Sequence, residues 1–306
     1  MTATRTLRVG TRASALARRQ TELVVASLAA PVDVVPIVTH GDRSDAALAQ
    51  IGGTGVFVSA LREALLTGSI DVAVHSYKDL PTAAADGVVV AAVPLREDPR
   101  DALVARDGLT LGELPLGARV GTGSPRRAAQ LRALGLGLEM VPIRGNVDTR
   151  LGKVASGEVD AVVLAYAGLR RLGRDADVTE VLDPIQVLPA PAQGALAVEC
   201  RASDSATRAV LAALDDAETR AAVAAERALL AGLEAGCSAP VGALAVVALG
   251  DDGTEVFLRG SVTAVDGSAA VRLSATGPTT AAEEVGRRLS ADLLADGADQ
   301  MMGNSS

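Results

Sequence analysis

RVGTGSPRRAAQ, Arg119 to Gln130, and RVGTRASALARRQ, Arg8 to Gln20, carry the same parts in the same order. Each starts with a short β-prone run, turns through glycine, threonine and serine, and opens a helix with an arginine pair and a glutamine. A second echo lies downstream of each: GSIDVAV at Gly68 to Val74 and GEVDAVV at Gly157 to Val163. Strand, turn and helix recurring in this way predict two similar lobes, each built on a parallel α/β sheet. The competing explanation is coincidence in a chain crowded with alanine, valine and glycine.

Outward from the first motif, the pattern predicts strands to about Gly10 and at Val32 to Val38, Ile70 to Val74 and Val88 to Val93, an amphipathic helix carrying Leu16, Leu23, Val24 and Leu28, and another over Val56 to Thr67. Two proline-punctuated segments, PLREDPRD at Pro94 to Asp101 and LPAPA at Leu188 to Ala192, read as hinges. The chain therefore crosses between lobes twice, with QGALAVECR, Gln193 to Arg201, returning to the first, as in clamshell proteins whose ligand lies in the cleft. This gives lobe one as residues 1–95 with 193–215 and lobe two as 100–188. From Asp216 the pattern changes to a long helix, the loop GCSAPVG, strands at Ala243 to Leu249, Glu255 to Val265 and Ala269 to Thr276, and a last helix from Thr280 to Ala295. Residues 216–306 are thus expected to form a small third α+β domain, ending in a frayed MMGNSS tail.

Composition narrows the function. The 306 residues are 49% hydrophobic and 22% charged, which describes a globular protein. A net charge of −8 argues against a general binder of nucleic acid or anionic membrane. Two cysteines, Cys200 and Cys237, and two histidines, His40 and His75, give neither a disulfide scaffold nor metal-ligand spacing. No apolar run is long enough to span a bilayer, and MTATRTLRVG lacks a basic-then-apolar leader, so a cytoplasmic location is expected.

Several residues suit chemistry. Ser124 is a good N-cap and Pro125 fits the first helical position, but Arg126 and Arg127 then lie where cations oppose the helix dipole unless an anion is bound. Thr11, Arg12 and Ser14 repeat the arrangement, so two helix N-termini are expected to face one cleft. IRGNVDTRLGKV adds Arg144 and Arg150 after the strand Met140 to Ile143, and the ligand is expected to be a polycarboxylate or polyphosphate. HSYKDLPT places His75, Ser76, Lys78 and Asp79 at a strand's C-terminal end, where a carboxylate beside a lysine serves as acid, base or cation anchor; a solvated turn is the plainer alternative. Cys237 falls in a glycine-flanked loop, whereas Cys200 ends a strand-like run and reads as core. A two-lobed solute-binding protein would explain the lobes and hinges, but neither Asp79 nor the GCSAPVG loop.

Taken in order, GTRASALA, GGTGVF, DVAVHSYKDLP, REDPRDAL, VGTGSPRR, IRGNVDTRL, LPAPAQGA and LEAGCSAPVG resemble the porphobilinogen deaminase, or hydroxymethylbilane synthase, family over nearly the whole chain. The resemblance implies two α/β lobes like those of type II periplasmic binding proteins, plus a small third domain. It implies that four porphobilinogens are joined head to tail, with loss of ammonia, on a dipyrromethane cofactor held by a thioether to Cys237. Porphobilinogen and the growing polypyrrole chain would be its partners, and a monomer is usual. By position, Asp79 matches the catalytic aspartate and Phe57 the aromatic beside the active site. Arg12, Ser14, Ser76, Lys78, Thr122, Ser124, Arg126, Arg127, Arg144, Asn146, Arg150 and Gln193 match binding positions, and the arginines are expected to serve ligand carboxylates rather than the fold. Thr54 stands where many members have lysine.

Overall fold

The computed structural model describes residues 5–37, 55–235, 239–250 and 253–302. By packing, the chain divides into two units: Met1–Glu97 with Ala195–Arg220, and Asp98–Gly194 with Ala221–Ser306. In chain order the first part holds β1 (Leu7–Arg12), α1 (Ala15–Ala26), β2 (Val32–Ile37), α2 (Gly55–Leu66), β3 (Val72–Ser76) and β4 (Val88–Ala92). The second lobe follows with β5 (Asp101–Ala105), β6 (Arg119–Thr122), α3 (Pro125–Ala133), β7 (Glu139–Pro142), α4 (Val147–Ala155), β8 (Ala161–Ala165), α5 (Tyr166–Arg171) and β9 (Glu180–Val181). Then come β10 (Leu196–Arg201), α6 (Ser205–Leu211), α7 (Ala217–Gly232), β11 (Val241–Gly250), β12 (Gly253–Thr263), β13 (Ala270–Pro278), α8 (Ala282–Ala295) and α9 (Ala298–Met301).

The two lobes have matching sheets. Strand order is β2, β1, β3, β10, β4 in one and β7, β6, β8, β5, β9 in the other. In each, the first three strands are parallel and the RVGT strand lies second, which is the duplication the sequence echo implied. The sheets are mixed, however, where wholly parallel sheets were expected: β10 runs antiparallel to β3 and β4, and β5 antiparallel to β8 and β9. Both strands enter directly from a hinge segment without a preceding crossover helix, and a parallel neighbour would need such a crossover.

Each sheet is covered on both faces, as the crossovers require. In lobe one, Val9, Val72, Val74 and Val198 pack with Val24 and Leu211 on one face, while Leu61, Leu65 and Ile70 cover Ala73 on the other. Lobe two repeats this with Leu103, Val120, Leu131 and Val163 on one face and Ile143, Leu151, Val162 and Leu164 on the other. The glycine of each RVGT serves this packing. A Cβ on Gly10 would collide with Ile70 Cδ1, and one on Gly121 would come 2.9 Å from Ile143 Cδ1.

The C-terminal part is a meander of β11, β12 and β13 under α7 and α8, with Leu229, Val256, Leu258 and Leu289 at its core. Its packing explains why it groups with lobe two. The Ala243 N–H donates to Pro189 O at 2.9 Å, and Arg132 Nη1 donates to Val265 O at 2.8 Å. The buried Glu226 carboxylate accepts the N–H groups of Ala192 and Ala245 at 2.6 and 2.8 Å. Ala192 has φ 62°, a strained left-handed conformation that this bond helps to hold in the LPAPA segment.

Candidate active site

In lobe one the candidate residues cluster where β1 and β3, parallel neighbours, end. Arg12 closes β1, and Ser14 caps α1 by accepting the Ala17 N–H at 3.3 Å. β3 runs through Ser76 and passes into one 3₁₀ turn, Tyr77–Asp79. That turn is tied down locally: the Tyr77 N–H donates to Ala195 O at 3.0 Å and the Leu80 N–H to Tyr77 O at 3.1 Å. Leu80 is buried with Val58 and Ala197. Ser76 Oγ accepts from Gln20 Nε2 at 2.8 Å, and Gln20 is buried on α1. Lys78 and Asp79 are thereby presented half-exposed. His75, expected on the loop, is instead buried within β3, because its strand position turns it to the covered face.

In lobe two the corresponding edge is formed by β6 and β7, with Thr122 opposite Pro142. Thr122 Oγ1 accepts the Ser124 N–H at 3.2 Å, and Ser124 Oγ accepts that of Arg127 at 3.4 Å, closing the cap. Asn146 caps α4 by accepting the Thr149 N–H at 2.9 Å. Arg150, one turn into α4, donates Nε to Gly145 O at 2.8 Å. Burial pushes the Arg150 guanidinium below its ordinary pKa, and the nearby charges of Arg127 and Arg144 push it further. Like charges held together at two helix N-termini make a surface that an anion would stabilise. Guanidinium, hydroxyl and N–H donors in this number suit carboxylates, and the described residues contain no cluster of metal-binding side chains.

Arg126 and Arg127 require a correction. Both were expected to answer a ligand and leave the fold alone, but they are 3% and 5% exposed and lie against a protein carboxylate. Asp101, fully buried at the start of β5, accepts from Arg126 Nη2 at 2.7 Å, Arg127 Nη2 at 2.7 Å and Arg127 Nε at 3.0 Å. Gln193 Nε2 donates to the same carboxylate at 2.7 Å, so this predicted binding residue is also engaged inside the protein. Burial would raise the Asp101 carboxyl, yet the two guanidinium charges and these hydrogen bonds outweigh it and hold the group well below the usual carboxylate range. Two cations on one anion still leave a net positive charge, and Arg126 Nε has no acceptor among the described residues.

Cys200 behaves as expected of a core residue. It is fully buried, and burial, with the Asp204 charge, pushes its thiol up to about 11, which removes it as a nucleophile. Cys237, Thr54 and the first residues of GGTGVF lie outside the described residues. Phe57 falls in the first turn of α2, and its side chain is likewise outside them. The buried acids Asp71, Asp101, Glu199 and Glu226 were not read from the sequence, nor was the half-buried Arg62 that grips Glu199 at 2.7 Å. The available signal was an acid inside an apolar run, DALVA and LAVECR, since a lone carboxylate there must find a cation.

Comparison with known proteins matches residues 7–209 to the family model described as porphobilinogen deaminase, dipyromethane cofactor binding domain. Residues 220–295 match the one described as porphobilinogen deaminase, C-terminal domain. The porphobilinogen deaminase of Mycobacterium tuberculosis is 62% identical over 304 residues, 97% of this chain and 98% of that protein. That of Nocardia farcinica is 60% identical over 97% of this chain and 88% of its own length. Among solved structures, the periplasmic aliphatic sulphonate binding protein SsuA from Escherichia coli aligns with a TM-score of 0.38 and 19% identity, covering 75% of this chain and 70% of that one. The lobe architecture rests on the strand order given above.

Proposed function

The chain belongs to the porphobilinogen deaminase family, and we propose that Asp79 is its catalytic carboxylate, Cys237 the attachment point of its dipyrromethane, and the residues ending β1, β3, β6 and β7 its grips on ligand carboxylates. The enzyme is a transferase of tetrapyrrole biosynthesis: it condenses four porphobilinogens head to tail, with loss of ammonia, into hydroxymethylbilane on a dipyrromethane primer. The cationic edge around Arg127, Arg144 and Arg150 fits such a primer, whose rings carry acetate and propionate groups, and is the observation that most supports this assignment. When bound, the dipyrromethane supplies the free pyrrole α-carbon to which the first added ring joins.

Arg12, Ser14, Ser76 and Lys78 in one lobe, and Thr122, Ser124, Arg144, Asn146 and Arg150 in the other, bind and orient the ring carboxylates. Arg126 and Arg127, already paired with Asp101, add their surplus positive charge from beneath. Asp79 accepts hydrogen bonds from pyrrole N–H groups and offsets the positive charge left on the methylene-pyrrole when ammonia departs. It then takes the proton released as each new ring joins. Its half-exposed position supports this role, in contrast to the fully buried Asp71 and Asp101. Phe57 is carried over from the resemblance as the aromatic beside the active site. As the family resemblance implies, we place it as a monomer in the cytoplasm.

Single-turnover addition of porphobilinogen to cofactor-loaded protein tests the assignment. Asp79→Asn should slow each addition by roughly 10²- to 10⁴-fold with little change in substrate affinity. Cys237→Ala should give a folded, inactive protein without the mass excess of a bound dipyrrole, whereas Cys200→Ala should keep it. Near wild-type addition by Asp79→Asn, or turnover by Cys237→Ala, would overturn the respective role.

A further inference from the structure

Buried Glu199 and His75 and half-buried Arg62 meet near the end of β3 and have no part in the mechanism above. Glu199 on β10 is 1% exposed. Arg62 of α2 grips its carboxylate with Nη2 at 2.7 Å and Nε at 3.1 and 3.3 Å. His75 Nε2 faces the same carboxylate at 3.2 Å, within range of attraction though off the line of a good hydrogen bond. The register accounts for the meeting. Ala197 stands opposite His75 and Glu199 opposite Ala73 across β10 and β3, so Glu199 and His75 are diagonal neighbours on one sheet face. α2 covers that face, packing Leu61 and Leu65 over Ala73 and Val58 against Ala197 and Leu80.

A buried ion pair is a poor way to stabilise a core, since an apolar set of the same shape avoids the desolvation of two charges. The directional bonds of Arg62 do fix the Glu199 carboxylate between α2 and β10, and His75 rests against that fixed group at 3.2 Å. His75 is the last residue but one of β3, and the turn carrying Asp79 begins two residues later. Two further ties on that turn lead to the stretch entering β10, the Tyr77 N–H to Ala195 O and Leu80 against Ala197, and Leu80 also meets Val58 of α2. Burial would raise the Glu199 carboxyl, but the His75 and Arg62 contacts hold it down at about 2, so the anion persists in use.

We propose that Glu199 and Arg62 are positioning residues for the condensation: they clamp His75 and the end of β3 from α2 and β10, and so fix where the Asp79 carboxylate is presented. This rests on Asp79 being the catalytic carboxylate. Misplacing a reacting group by about 1 Å costs up to about 100-fold in rate without weakening substrate binding made elsewhere.

The test is single-turnover porphobilinogen addition by Glu199→Gln and Arg62→Gln in cofactor-loaded holoenzyme, its loading checked by intact mass, with Asp79→Asn run alongside. Addition should slow by about 10- to 100-fold in Glu199→Gln and by about 3- to 10-fold in Arg62→Gln, with KM within about twofold of wild type. If Glu199→Gln does not fold, Arg62→Gln, altered at the half-buried end of the pair, decides alone. Wild-type addition rates accompanied only by a lower Tm, or a raised KM with an unchanged rate, would overturn the proposal. When Asp79→Asn is slow and both clamp variants are not, the positioning role alone fails; when Asp79→Asn is itself fast, the catalytic assignment fails and this inference with it.

Discussion

The two lobes share a strand order, a serine cap and a buried glutamine, yet they put their arginine pairs to opposite uses. Counted from the caps Ser14 and Ser124, the glutamine comes six residues on in both, and Gln20 and Gln130 are both buried. The arginines come at the fourth and fifth positions in lobe one but at the second and third in lobe two. Two residues turn a helix by about 200°. Arg18 and Arg19 consequently face solvent, while Arg126 and Arg127 face the sheet and need Asp101 as a counterion. A motif's content therefore says less about its role than its phase relative to the cap.

The largest effect should come from removing that counterion. Asp101→Ala leaves two buried guanidinium groups without an anion and should cost about 3–5 kcal/mol in denaturant unfolding. A loss below about 1 kcal/mol would mean that the cluster is open to water and that the contrast between the lobes is overstated.

Lobe one has a buried carboxylate of its own, and pH can sharpen the comparison. Glu199 is held at about 2 in the folded protein against an ordinary 4.5, so its contribution is complete above about pH 4.5 and is lost as pH falls towards 2. Glu199→Gln should flatten the fall in unfolding free energy across this window by up to about 3 kcal/mol. An acid limb identical to wild type would show that the pair with Arg62 is not formed in solution.

The arginine pairs themselves allow a direct comparison. Arg127→Leu should lower stability by about 1.5–3 kcal/mol, because it breaks charged hydrogen bonds to Asp101 at 2.7 and 3.0 Å. Arg19→Leu, at an exposed site, should stay within about 0.5 kcal/mol of wild type. Equal effects in thermal melts would erase the distinction drawn from helical phase.

The smallest difference is expected where the lobes agree. Ser14→Ala and Ser124→Ala each remove one N-cap acceptor and should each cost about 1 kcal/mol. Costs that differ by more than about 1 kcal/mol would show that the cap in one lobe carries something besides its helix.

Local pattern was enough for much of this molecule. The repeated RVGT and GSIDVAV-type segments announced two lobes, the serine and proline at Ser124 and Pro125 announced a helix start, and the change of pattern after Asp216 announced a third, antiparallel part. The family was legible as well, since its motifs run in order from GTRASALA to LEAGCSAPVG. Such features are written in neighbouring residues, where caps, turns and strand periodicity act. The antiparallel entry of β5 and β10, the burial of Arg126 and Arg127 and the clamp on His75 are different in kind. Asp101 meets Arg126 across 25 residues, and Arg62 meets Glu199 across 137. At those separations a charged residue's partner leaves no periodic trace in the chain, and only the packing of helix and sheet brings the base to an acid that is buried from water.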